Sequence, residues 1–227
     1  MRYNAIILDT ETAQKDGNAC EIATLTCGID NGQFIEGGLS CERFNPCQLM
    51  HFGALAVHHI PPSVLRECRP HTEYELPNGV QYVIGHNVDF DAAVLQRAGV
   101  DLSNTRLICT LALSRMIYPQ LDSHSLGALT YFISDNFDHA RNELKNAHSA
   151  AADVMLTASL LRYMLKDRSD VADIADLWRL SEQARVPTRI AFGKHKGMAI
   201  ADLPSDYRQW LLKQNDLDPY MRKALTA

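Results

Sequence analysis

The first apolar run of the chain, AIILDTET at positions 5–12, ends in two acids. Its succession of aliphatic residues reads as a strand over about residues 3–10. CEIATLTCGID (20–30) alternates well enough to be a second strand. DNG at 30–32 is a two-residue hairpin signal. QFIEGGLS (33–40) then pairs back on the second strand, so the chain opens as a β-meander. MHFGALAVHHI (50–60) and PPSVLREC (61–68) predict two short helices, the second opened by proline. VQYVIGH (80–86) predicts a strand, with a helix after it over 88–98, and TRLICT (105–110) another strand. LALSRMIY (111–118) and SHSLGALTYFI (123–133) read as helices. NAHSAAADVMLTASLLRYMLKD (146–167) predicts the longest helix, followed by DVADIADLWRLSEQA (170–184). The last stretch, 188–214, reads as a small strand and turn before a helix. A meander followed by alternating helix and strand is the pattern of an α/β fold, a mixed sheet flanked by helices.

Composition narrows the classes. Hydrophobic residues make up 46% of the 227, which supports a sizeable core and excludes a disordered chain. No apolar run approaches the roughly 20 residues of a membrane span, and none near the N-terminus resembles a signal peptide. The six cysteines form no C-x-x-C pair, and no His or Cys cluster follows Cys41 and Cys47 as a zinc site would require. These features predict reduced thiols in a cytoplasmic protein without a membrane partner.

Charge is unevenly spread. From residue 184 onward, eight basic residues face four acids, giving +4. The preceding 183 residues carry 14 basic and 23 acidic side chains, giving −9. An acidic body with a basic tail fits a cation-loaded site beside a polyanion-binding patch.

Residues i and i+2 of a strand share a face, so Asp9 and Glu11 project side by side with Thr10 opposite. Such a pair calls for a neutralising cation, and hard divalent cations take oxygen ligands. GHNVDFD (85–91) offers two further acids. Asp91 lies over Leu95 and Ala98 and points inward, whereas Asp89 shares a face with Gln96 and points to solvent; Asn87 is placed to cap this helix. In AHSAAADVML (147–156), Asp153 sits in an apolar helix where a buried carboxylate needs a partner such as a metal. His148, near the start of that helix, is placed to swing over the same site.

The three blocks DTE, HNVDFD and HSAAAD resemble those of the DEDDh 3′→5′ exonucleases, a family that includes polymerase proofreading subunits, RNase T and oligoribonuclease. The likeness spans residues 4–166 in order and spacing. Within the family the chain looks most like the exonuclease X branch, through ALAVHHI, ICTLALSRMIYP, HSLGAL and FGKHKGMAIADLPSDYRQWLL. The resemblance implies an RNase H-like mixed sheet, an exonuclease domain over 1–167 and a small basic module over 168–227. It implies DNA as substrate, single-stranded or at 3′ ends, and 5′-mononucleotides as products. It also implies two Mg²⁺ ions, replaceable by Mn²⁺, roughly 3.5–4 Å apart on Asp9, Glu11, Asp91 and Asp153. His148 would serve as general base, its ordinary pKa lying near neutrality. Thr10, Thr12, His58, His86, Asn87 and Phe90 are candidates to hold the terminal nucleotide, and Lys194 and Lys196 to hold the backbone. RNA is the alternative substrate, and a non-catalytic nucleic-acid-binding module the alternative of another class. A homodimer is compatible with the sequence.

Overall fold

The computed structural model describes residues 3–146, 149–190 and 192–227. The elements run in chain order as β1 (Ala5–Thr12), β2 (Ala19–Asp30), β3 (Gln33–Arg43), α1 (Phe52–His58), α2 (Pro62–Leu65), β4 (Tyr82–Gly85), α3 (Val88–Arg97) and β5 (Arg106–Cys109). They continue with α4 (Thr110–Ile117), α5 (Leu126–Ile133), α6 (Phe137–Glu143), α7 (Ala150–Leu165), α8 (Ile174–Arg185), α9 (Ser205–Leu212) and α10 (Pro219–Thr226). One sheet holds the strands in the order β3-β2-β1-β4-β5. The β3-β2-β1 part is antiparallel, and β4 and β5 add in parallel. The fold is therefore the mixed, helix-flanked α/β sheet that the sequence predicts.

β1 is central, and both its faces are covered, which is why it reads as an unbroken apolar run. Ala5 and Ile7 face a core built with Val154, Ala158 and Leu161 of α7 and with Ile174 and Leu177 of α8. Ile6 and Leu8 face the opposite core, with Val88, Val94 and Leu95 of α3. The hairpin between β2 and β3 turns on Asn31 and Gly32, at φ 50° and 76°. Both residues in the left-handed region is the turn whose twist matches the flanking strands, and Asn-Gly tolerates it best.

Outward, β3 forms one sheet edge, and short β5 forms the other. The Cys109 N–H of β5 donates to Ser181 Oγ of α8 at 2.9 Å.

A third cluster, Ile190, Ile200, Leu203, Leu211, Met221 and Leu225, is built wholly from the last forty residues. In packing terms α8 goes with the large core, and this small cluster starts after it. Two expectations on local structure change, and two helices join the predicted elements. The strand before FGKHKG reduces to a single bridge, Arg189 with Ala199. α7 begins at Ala150 rather than residue 146, because the Ser149 side chain accepts from Ala152 N–H and caps it. Helices α6 and α10, each under three turns, carry too short an apolar face to stand out in the sequence. Among the described residues no helix is long and apolar enough to cross a membrane.

Candidate active site

Strand parity assembles the site. Asp9 and Glu11 continue the Ala5 and Ile7 face of β1, the face that α7 covers, so Asp153 in the first turn of α7 meets them. One carboxylate oxygen from each of the three lies within 4.8 Å of the others. Thr10 continues the other face, toward α3, where Asp91 sits in the first turn. The Thr10 hydroxyl donates to Asp91 Oδ1 at 2.8 Å. β4 has ended at Gly85, so the backbone of β1 beside Thr10 is open and also bonds to the Asp91 carboxylate. Asp91 is 2% exposed. Asp89 points the other way and pairs with Arg185 of α8.

The electrostatics are those of crowded, desolvated acids. Burial, then Asp91, Asp153, Glu11 and Glu21, holds the Asp9 carboxyl well above the usual range. Burial, then Asp153, Glu21 and Asp91, pushes Glu11 up to about 8. Burial raises Asp91 to about 7 against the opposing bonds from Thr10. Without a cation the cluster retains protons; a hard divalent cation would displace them and relieve the repulsion. An all-oxygen donor set of this kind suits Mg²⁺ or Mn²⁺.

Glu21 is a member of this neighbourhood that the motif reading missed. It lies directly across from Glu11 on β2 and is 4% exposed. Oε2 accepts from Arg43 at 3.0 Å, and Oε1 accepts from the Ala150 N–H of α7 at 3.2 Å. Glu21 thereby ties the start of α7 to the sheet. The signal available in sequence was an acid within the otherwise apolar CEIAT.

The other predicted residues take varied places. His148 lies outside the described residues. The Thr12 hydroxyl donates to the Gln14 carbonyl at 2.7 Å. His58 is buried, with Nδ1 accepting from the Ile60 N–H at 2.9 Å, and burial lowers its pKa. His86 has Nε2 on the His124 carbonyl at 2.9 Å and Nδ1 on the Thr110 hydroxyl at 3.0 Å. Burial lowers His86 to about 4, so it is a neutral tie between β4, α4 and the loop before α5. Both His58 and His86 thus make hydrogen bonds within the protein. Asn87 does not cap α3 through its side chain, because its backbone is left-handed (φ 76°, ψ 48°). Asn87 is exposed, and Phe90 is half-buried against the α3 core. Lys194 and Lys196 are exposed on a turn remote in sequence from the carboxylates.

No family model matches the chain. Part of it is similar to the PolC-type DNA polymerase III of Latilactobacillus sakei subsp. sakei (strain 23K), 32% identical over 112 residues, 48% of this chain and 7% of that one. The Bacillus cereus PolC-type enzyme is 27% identical over 145 residues, 59% and 10% of the two chains. The chain thus spans a tenth or less of the length of these relatives. Among solved structures, Exonuclease X in complex with 5′ overhanging duplex DNA superposes at TM-score 0.58, with 21% identity, 78% of this chain and 99% of that chain. E. coli Exonuclease I with a dA16 oligonucleotide gives 0.58, 18%, 81% and 44%. A 3′-exonuclease in 3′-end specific recognition of histone mRNA stem-loop gives 0.53, 13%, 74% and 84%. The chain therefore shares its mixed, helix-flanked fold with these exonuclease structures.

Proposed function

We propose that the protein is a metal-dependent 3′→5′ exonuclease that shortens DNA from the 3′ end and releases 5′-mononucleotides. The convergence of Asp9, Glu11 and Asp153 oxygens within 4.8 Å carries this reading. A module that only bound nucleic acid would gain nothing from protonation-prone acids facing a polyanion. Asp9, Glu11 and Asp153 hold the cations, with Asp91 completing the set and Thr10 fixing its carboxylate. Two divalent cations held there would supply the charge stabilisation that an in-line displacement at phosphorus needs. His148 takes the proton from the attacking water, whose oxygen bonds to phosphorus as the bond to the 3′-oxygen breaks, and a solvent proton restores the 3′-hydroxyl of the shortened strand. Lys194 and Lys196 hold the strand through its phosphates. A 3′→5′ exoribonuclease is the second reading, favoured by the likeness to the 3′-exonuclease that recognises an mRNA stem-loop.

The deciding experiment incubates 3′-labelled and 5′-labelled DNA and RNA oligomers with the protein and Mg²⁺ and sizes the products on a gel. Immediate release of the 3′ label as a mononucleotide, with a shortening 5′-labelled ladder, is the expected result. Internal fragments, loss of the 5′ label first, or full activity in excess EDTA would overturn the reading.

A further inference from the structure

A groove of about 990 Å³ runs between α4, the C-terminal end of α8 and the small C-terminal cluster. It lies outside the carboxyl ends of β4 and β5, where open α/β sheets take their ligands. Asn87 lines it at one place, and Asn87 is four residues before Asp91 in the same motif. Phe192 and Trp210 line it at another, 46% and 52% exposed. Trp210 is stacked on Tyr207, centroids 5.4 Å apart, and Tyr207 meets His195 at 4.4 Å. The turn bearing Phe192 is held closed: the Gly197 N–H donates to the Ile190 carbonyl at 2.7 Å, and the Arg189 guanidinium donates to the Gly197 carbonyl at 2.8 Å. Gly193 and Gly197 take φ 67° and 85°, which side chains resist, and a Cβ at Gly193 would stand 3.3 Å from the Tyr207 hydroxyl.

The charge around these rings favours an anion. Exposed Arg115 and Arg189 stand on the walls, and exposed Lys194 and Lys196 follow Phe192 on the same turn. Of the three acids on the walls, Asp89 is paired with Arg185, Asp218 accepts from the Met221 N–H as the cap of α10, and Asp216 is exposed at the rim beside it. Exposed ring faces interleaved with exposed cations fit one ligand chemistry above others: a single nucleic-acid strand, its bases stacked on the rings and its phosphates on the cations.

We infer that this groove is the track for a single strand whose 3′ end occupies the carboxylate site, with Trp210 and Phe192 as its stacking platform. The inference rests on the exonuclease reading for the placement of the 3′ end. Both rings are exposed in the folded chain, so their loss removes a binding surface rather than a core. Base stacking on one such ring is worth about tenfold or more in affinity.

The test is fluorescence anisotropy in EDTA, with labelled oligo-dT and oligo-rU of four and sixteen nucleotides. The proteins are wild type, Trp210→Ala, Trp210→Phe and Phe192→Ala, each checked for its thermal midpoint. Trp210→Ala and Phe192→Ala should each weaken the sixteen-mers about tenfold and the four-mers far less, and Trp210→Phe should keep most of the affinity. In a Trp178→Phe background, fluorescence of the remaining Trp210 should be quenched by the long strand. Sixteen-mer affinities equal to wild type in both alanine variants would overturn the inference, as would equal losses at both lengths. If wild-type protein cleaves strands while these variants bind normally, only the groove fails. If it binds strands through Trp210 and cleaves none, only the exonuclease reading fails.

Discussion

The Thr10 hydroxyl donates a 2.8 Å hydrogen bond to Asp91 Oδ1, joining β1 to α3 across 81 positions of sequence. The same strand presents Asp9 and Glu11 to α7 on its opposite face, so one strand end collects carboxylates from both sides of the sheet. On the proposed function, Thr10 would position Asp91. Thr10→Val keeps the shape and removes the donor. A hydrogen bond to a charged group is worth about 1.5–3 kcal/mol, so the Mg²⁺ concentration for half-maximal cleavage should rise about tenfold or more. The rate at saturating Mg²⁺ should fall much less, and Thr10→Ser should restore wild-type metal dependence. A lower plateau with unchanged metal dependence would assign Thr10 to the substrate instead.

The two acids of VDFD should behave differently. Asp91→Ala should abolish cleavage while the protein stays folded. Asp89→Ala should keep most activity but lose stability, because Arg185, whose side chain is 7% exposed, loses its carboxylate partner. The loss should be on the order of 1–3 kcal/mol by urea unfolding, since Glu182 and the Tyr220 ring still face the guanidinium. Equal activity loss in the two variants would refute the division.

Metal-free protein should lose stability as pH rises. Glu11 is pushed up to about 8, Asp91 to about 7, and Asp9 well above the usual range, against about 4 for carboxyls in the unfolded chain. The folded state thus binds more protons than the unfolded one between roughly pH 4 and 8, and the contribution of these groups is lost as pH rises through that window. Melting temperature in EDTA should fall across it, and added Mg²⁺ should raise it most at the alkaline end. Asp9→Asn should flatten the fall and remove most of the Mg²⁺ effect. A flat EDTA profile for the wild type would mean the acids are not crowded as described.

Lys194 and Lys196 stand exposed on their turn, with Gly193 and Gly197 beside them. Phosphate contacts on single strands contribute a salt slope of about 0.7 each, so replacing both lysines by alanine should flatten the salt dependence of long-oligomer binding by about one to one and a half units. An unchanged slope would remove both from the strand's path.

Much of this was legible in the sequence, for physical reasons. AIILDTET announced a buried strand ending in two acids because both faces of β1 are buried up to them. Helical spacing separated Asp91 from Asp89, since only one face of α3 meets the sheet. Asn31-Gly32 declared its own turn. Partnerships over distance were not legible. His86 and His58 look like ligand residues in a motif, but their partners, His124, Thr110, Ile60 and Cys20, are fixed only by the fold. Glu21 escaped because its meaning depends on strand register, which sets it against Glu11, and on α7 arriving above it.

The two borders of the sheet carry a last consequence. Along β3 the border bristles with charge: Glu42 forms a double hydrogen bond with Arg69 at 2.7 Å each, and Glu36 pairs with Arg162. At β5 the strand has only four residues, and Ser181 already occupies the Cys109 amide. A foreign strand docking at either side would have to break ion pairs or displace a helix. The fold therefore resists self-templated aggregation at the margin where mixed sheets are most vulnerable, and concentrated solutions should stay free of fibrils.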